Sequence, residues 1–159
     1  MRKNNITKPA YIVSALLFLL AACTASGQDW RKLEEEKRYD EALAALEKLA
    51  AKDTARQAEF MRSAMEIALN RMKNPELARK YIEMTKDESW RAFLRFCFYN
   101  ATGQPDEVLK SLEENNITSF PANVQAEAYT TLGNIYKARK ETDKALEAYR
   151  KSVDSKGGA

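Results

Sequence analysis

The sequence predicts an all-α fold of about four antiparallel helix pairs. Apolar residues recur at the period of an α-helix through most of the chain. Only 5 glycines and 4 prolines occur in 159 residues, too few for the many turns of an all-β sandwich. No stretch alternates apolar and polar residues for long enough to predict a strand.

The apolar stripes and the helix-start residues define eight helices in four consecutive pairs. Positions 42, 43, 46, 49 and 50, for example, form one apolar face. Pro75 and Pro105 stand where a first helical turn accepts proline, and Asn74 is a suitable N-cap. The predicted pairs are 29–38 with 40–52, 54–73 with 75–85, 88–101 with 105–115, and 121–139 with 141–154.

The last predicted pair carries a family signature. Its residues at the signature offsets are Tyr129, Leu132, Gly133, Tyr136, Ala145 and Tyr149. This pattern resembles a tetratricopeptide repeat (TPR), in which Gly133 and Ala145 stand where two helices approach closely. The pair departs from the pattern at Lys140, where the family usually has glycine, and at Ser152, where it usually has alanine.

Three earlier pairs repeat this theme more loosely. Ala42, Ala78 and Val108 occupy the position of Ala145, at spacings of 36, 30 and 37 residues, against a family period of about 34. The resemblance implies a right-handed α-solenoid of four TPR-like pairs over residues 29–154, because one pair cannot bury its apolar face alone. Residues 155–159 are predicted to be a flexible C-terminus.

The first 28 residues predict export and anchoring. Residues 1–9 are basic, and the uncharged segment 10–22 is shorter than the ~20 residues of a spanning helix. It ends in Leu-Ala-Ala-Cys23, which resembles the bacterial lipobox. That resemblance implies a signal peptide at 1–22, acyl chains such as palmitate on Cys23, and a lipidated tether at 23–28. The alternative is an ordinary signal peptide with an incidental cysteine. Thr24, in place of an inner-membrane-retaining Asp, favours the outer membrane, facing the periplasm.

The composition argues against most kinds of catalytic site. The chain contains no histidine, which excludes His-based proton transfer and most zinc sites. It has no phosphate loop, EF-hand loop or cysteine pair for metal binding. We therefore expect no enzyme activity, no catalytic residue, no metal and no cofactor. Cleavage after residue 22 would remove three basic residues and no acids, so the formal charge of +3 belongs to the signal peptide and does not favour nucleic acid.

The TPR resemblance also implies a concave groove, lined by the first helix of each pair, that binds a protein or peptide partner. The register places eight residues there: Phe60, Ile67, Asn70, Arg71, Trp90, Phe93, Asn134 and Lys137. It also adds Ser63, Glu127 and Thr130. The aromatic helix 88–101 has two open registers. The first directs Trp90, Phe93, Cys97 and Asn100 to the groove and puts Arg95 in the core. The second buries Trp90, Phe93, Leu94 and Cys97.

The predicted function is a lipid-anchored periplasmic TPR scaffold that binds a protein partner at the bacterial envelope without catalysis. The alternatives are a regulatory adaptor of a cell-wall enzyme and a pilotin-like assembly factor for a secretin or an outer-membrane protein. Leu146, Tyr149 and Val153 lie at the C-terminal edge of the last pair. They either face inward within that pair or dock a second copy, which would make the protein a homo-oligomer.

Overall fold

The computed structural model describes residues 29–156. The predicted signal peptide at 1–22, Cys23, the tether at 23–28 and residues 157–159 of the predicted tail lie outside the described residues. Residues 29–156 contain eight α-helices and no strand, which confirms the predicted all-α, TPR-like helical repeat fold. Within this range, no helix combines the length and the apolar character needed to cross a bilayer.

The observed helices begin and end within three residues of the predicted bounds, provided that the π-helical turn after α3 is counted with that helix. They are α1 Trp30–Glu35, α2 Tyr39–Lys52, α3 Gln57–Glu66, α4 Pro75–Met84, α5 Glu88–Ala101, α6 Pro105–Glu114, α7 Ala122–Ala138 and α8 Thr142–Lys156. A π-helical turn, Ile67–Arg71, continues α3, and a 3-10 turn, Ile117–Ser119, precedes α7. Helix α8 runs past residue 154, so part of the predicted tail is helical.

The described residues form two compact units, 29–45 and 46–156, and the boundary falls inside α2. The described part of the first unit buries Leu33, Ala42 and Leu43. The second unit holds α3 to α8, with α4 packed on α3, α6 on α5 and α8 on α7. Within this unit the hydroxyl of Tyr81 donates a hydrogen bond to Glu47 at 2.9 Å.

Four helix-to-helix turns of the described chain share one backbone feature. The residues with left-handed φ angles are Lys37 (60°), Lys73 (55°), Gly103 (69°) and Lys140 (62°). Each stands five positions before the small residue of the next helix, namely Ala42, Ala78, Val108 and Ala145, and these four side chains are at most 4 % exposed. The turns therefore fix one register in all four hairpins, although only one of them has glycine.

Hydrogen bonds close these turns in the pattern of a Schellman motif. In three of them, an amide donates to the carbonyl five residues earlier: Arg38 to Leu33 (2.8 Å), Gln104 to Tyr99 (2.9 Å) and Glu141 to Tyr136 (2.9 Å). The second turn is one residue wider because of the π-helical segment, and Asn74 N–H donates to Ala68 at 2.9 Å. The Asn74 side chain then caps α4 by accepting from Leu77 N–H at 3.0 Å, as predicted.

The last hairpin shows why the signature residues are needed. A Cβ at Gly133 would lie 2.5 Å from a ring atom of Tyr149, so the two helices meet there because Gly133 has no side chain. The Tyr149 hydroxyl donates to Asn134 Oδ1 at 2.8 Å. Ser152 is buried, and its hydroxyl donates to the Ala126 carbonyl at 2.8 Å. The serine that stands where the family usually has alanine is therefore hydrogen-bonded to α7.

The three apolar residues predicted at the outer edge of α8 lie in two different environments. Tyr149 packs inward on Gly133, whereas Leu146 is 49 % exposed and Val153 is 69 % exposed. Two separated apolar side chains are ordinary on a protein surface. Docking of a second copy at this edge stays a prediction.

We expect Gly133→Ala to destabilise the protein. Overpacking typically costs about 1–3 kcal/mol, which outweighs the roughly 0.5–1 kcal/mol that alanine gains over glycine within a helix. Urea unfolding followed by circular dichroism measures the change. In a Tyr149→Ala background, the same substitution should become neutral or stabilising, since the clash is gone. A stability gain from Gly133→Ala in the wild-type background would contradict the close approach.

We expect Lys140→Gly to stabilise the protein by about 0.5–1 kcal/mol, because glycine adopts a left-handed φ without the steric cost that a Cβ brings. Gly103→Ala is the converse control. A Cβ at Gly103 would meet nothing within 4 Å, so its expected loss of stability reports backbone strain alone. Thermal unfolding measures both variants: the melting temperature should rise for Lys140→Gly and fall for Gly103→Ala. Equal melting temperatures for wild type and Lys140→Gly would refute the prediction.

Candidate partner-binding groove

A cavity of about 170 Å³ lies between the first helices of three successive hairpins, α3 with its π turn, α5 and α7. Its lining consists of Met65, Glu66, Leu69, Asn70, Phe96, Cys97, Asn100, Ala101, Glu127 and Thr131. We call this site the groove. The buried lining residues Met65 and Phe96 form its floor, and the exposed side chains of Asn70, Asn100 and Glu127 lie at its rim.

The floor of the groove is fixed by aromatic packing. Phe96 stacks on Phe93 with ring centroids 6.4 Å apart, and both rings meet Phe120 edge-on at 5.7 Å. Such contacts add about 0.5–1.5 kcal/mol each to simple burial. On α3, the π turn brings Leu69 and Asn70 to the same site. π turns of this kind are frequent at functional sites.

One guanidinium connects two carboxylates at the groove. Arg62 on α3 donates from Nε to Glu66 at 2.9 Å and from Nη2 to both oxygens of Glu127 on α7, at 2.9 and 3.0 Å. The guanidinium also lies over the ring of Phe93, with Cζ 5.3 Å from the centroid. These contacts bind the first helix of the second hairpin to the first helix of the fourth.

The charge on Arg62 is stabilised by its partners. Burial by itself lowers the pKa of the guanidinium, since it penalises the charged form. The hydrogen bond to Glu66 and the charge of Glu127 outweigh burial, and the pKa of Arg62 is raised. The folded protein therefore favours the charged form of Arg62.

The thiol of Cys97 in the groove has low reactivity. Burial raises the pKa of Cys97 to about 12, with a further increase from the charge of Glu127 and an opposing effect of Arg62. At neutral pH the side chain is a protonated thiol, which is a poor nucleophile. Within the described range 29–156, no group of three or more His, Cys, Asp or Glu side chains has the arrangement of a metal site.

The eight residues predicted for the groove fall into different environments. Asn70 is the one that lines the cavity. Phe60, Ile67 and Phe93 are buried, at 8 %, 2 % and 0 % exposure, so these three belong to the core and the prediction is corrected for them. The reason is that each side chain points between helices, where apolar area is removed from water.

The other four predicted residues lie at or near the surface. Trp90 is half-buried, with its ring edge-on to Phe93 at 5.9 Å. Arg71 and Lys137 are exposed. Asn134 is exposed too, but its amide oxygen accepts the hydrogen bond from Tyr149, so it serves the last hairpin rather than the cavity.

The aromatic helix combines parts of both predicted registers. Phe93 and Leu94 are fully buried, as in the second register, while Cys97 and Asn100 line the cavity, as in the first. The first register is wrong about Arg95, which is not in the core but pairs with Glu83 at 3.0 Å on the surface. Helix α5 can contribute both to the core and to the groove because aromatic side chains cover nearly all of its faces.

Sequence reasoning missed the charged bridge at the groove. The spacing of Arg62 and Glu66 is a readable i, i+4 pair on one helix. The partner on the other side, Glu127, is 65 residues away, and the register placed it in the groove without assigning it a contact. Met65 and Phe96 follow the apolar period, but nothing in the sequence distinguishes a floor residue from any other core residue.

Comparison with known proteins gives one match. The tetratricopeptide repeat family matches residues 126–157, which include nearly all of α7 and α8. No curated protein and no solved structure matches the chain. The last hairpin is thus a TPR repeat, and repeats of this family typically act as non-catalytic scaffolds for protein–protein interaction.

We expect Cys97 to resist alkylation. With the pKa raised from about 9 to about 12, the folded protein holds about a thousandfold less thiolate at pH 8 than the unfolded chain does. The measurement is the iodoacetamide reaction rate of a Cys23→Ser variant, folded and in urea. Adding Glu127→Gln should accelerate the folded-state reaction, because that carboxylate raises the pKa of Cys97. A folded rate within tenfold of the unfolded rate would count against this environment.

Proposed function

We propose that this protein is a lipid-anchored, non-catalytic TPR scaffold on the periplasmic face of a bacterial outer membrane. Its groove binds a segment of a partner protein and holds that partner close to the membrane. The observation that carries the proposal is the cavity between the first helices of three hairpins, beside a recognised TPR repeat.

The surface chemistry of the groove supports binding rather than catalysis. The side-chain amides of Asn70 and Asn100 are exposed and form no hydrogen bond with the described residues. Each amide offers both a donor and an acceptor, which matches the needs of an extended peptide backbone. The thiol of Cys97 is neutral, and the carboxylates of Glu66 and Glu127 both accept hydrogen bonds from Arg62.

The sequence supports the anchor. A basic segment, an uncharged segment and Leu-Ala-Ala-Cys23 follow one another in the order of a lipoprotein signal. Cys23 is six residues before Asp29, a distance of about 20 Å when fully extended. A partner held by a protein with this tether would stay near the membrane surface.

The anchor is tested by growing cells that express the chain with a labelled palmitate. We expect label on the wild-type protein in the membrane fraction and no label on Cys23→Ala. Cys97→Ala is the matched control and should keep the label, because the lipobox residues precede Cys23 and not Cys97. Equal labelling and equal membrane association of wild type and Cys23→Ala would refute the lipid anchor.

The binding half of the proposal is tested in the same cells with a photo-crosslinking amino acid. Substitution at Asn100, at the rim of the groove, should give an adduct with an envelope protein. Substitution at Glu76, which is 86 % exposed on α4, is the control and should not give that adduct. Identical adducts from both positions, or none from Asn100, would contradict partner binding in the groove.

A further inference from the structure

The charges around the groove do not balance. Its lining includes Glu66 and Glu127 and no lysine or arginine. Both carboxylates accept hydrogen bonds from the same cation, Arg62, which lies beside the lining. The three side chains together carry a formal charge of −1, and the second oxygen of Glu66 accepts no hydrogen bond from the described residues.

Arg62 is already engaged on two of its three nitrogens. Its Nε and Nη2 donate to the two carboxylates, and its guanidinium lies over Phe93, which leaves Nη1 without a hydrogen bond to the described residues. The side chain is 26 % exposed, so most of it is withdrawn from solvent. The side chains of Glu66 and Glu127 are each 47 % exposed, so they would repel an anion in the groove, whereas a cation would compensate the remaining negative charge.

The volume and the floor of the groove indicate that the bound segment also presents an apolar side chain. A cavity of about 150 Å³ is large enough for a benzene molecule, so about 170 Å³ accommodates one apolar side chain. The floor formed by Met65 and Phe96 is apolar, and the neutral thiol of Cys97 adds no charge to it. The free amides of Asn70 and Asn100 can then bind the backbone on either side of that side chain.

We propose that the partner presents an extended segment with a lysine or arginine next to an apolar residue. The apolar side chain enters the cavity above Phe96, and the cation binds the carboxylates of Glu66 and Glu127. This inference rests on the proposed function, because it specifies which kind of segment the scaffold binds. It commits to a basic protein segment, and a preference for acidic or uncharged segments is the alternative that the experiment distinguishes.

A phage-displayed library of random 12-residue peptides provides the test. The full chain, with Cys23→Ser and purified in detergent, is the bait. We expect the selected peptides to be enriched in lysine or arginine next to an apolar residue. Each synthesised peptide should slow the alkylation of Cys97 at pH 9, which shows that it occupies the groove. Replacing the basic residue of the peptide by alanine should weaken binding about three- to tenfold, as expected for partly exposed charges.

The protein-side variant reverses the charge balance. Glu66→Gln/Glu127→Gln changes the formal charge of the three side chains from −1 to +1, so basic peptides should bind about three- to tenfold more weakly and a new selection should favour acidic ones. Glu76→Gln/Glu147→Gln, on α4 and α8, makes the same change in net charge away from the groove lining and should alter affinity less than about twofold. Circular dichroism verifies that both variants fold.

The outcomes separate the inference from the proposed function. Peptides that protect Cys97 without basic enrichment, or that are indifferent to Glu66→Gln/Glu127→Gln, overturn the inference and leave partner binding in the groove intact. Peptides that bind without protecting Cys97 also overturn it, because they bind elsewhere. If selection yields no peptide that binds the folded chain, binding in the groove fails, and the inference fails with it.

Discussion

Each helical hairpin depends on a left-handed turn that places a small or β-branched residue at the start of the next helix, where the two helices meet. The turn residue stands five positions before the buried residue in all four described hairpins, even though it is lysine in three of them. A Cβ in the left-handed region costs about 1–2 kcal/mol. The fold tolerates that cost because the turn satisfies helix-end carbonyls and fixes which face of each helix is buried.

The groove is built on the first helices of these hairpins. The turns fix α4 on α3, α6 on α5 and α8 on α7, and the packing of the hairpins brings Arg62 within hydrogen-bond distance of Glu127 across 65 residues of sequence. The π turn adds one residue to the second hairpin and carries Leu69 and Asn70 to the cavity. The change in helix winding therefore adds two residues to a lining to which α3 already contributes Met65 and Glu66.

The chemistry of the groove suits the proposed binding role. Burial keeps the thiol of Cys97 protonated, and the carboxylates of Glu66 and Glu127 both accept hydrogen bonds from one guanidinium. What the groove offers is shape, a few free hydrogen-bonding groups and one uncompensated charge. Those are the elements by which a rigid scaffold selects a partner.

The sequence alone determined the helices and their pairing, because periodicity and helix-start residues such as Asn74 and Pro75 act locally. The left-handed φ angles of Lys37 and Lys73 were seen only in the structure, since glycine is the residue that ordinarily marks such a turn. Only the tertiary structure decided which face of the aromatic helix is buried, because Phe93 and Cys97 are both plausible core residues by pattern. The pairing of Arg62 with Glu127 also had no local signal, since a contact between distant residues exists only once packing has brought their helices together.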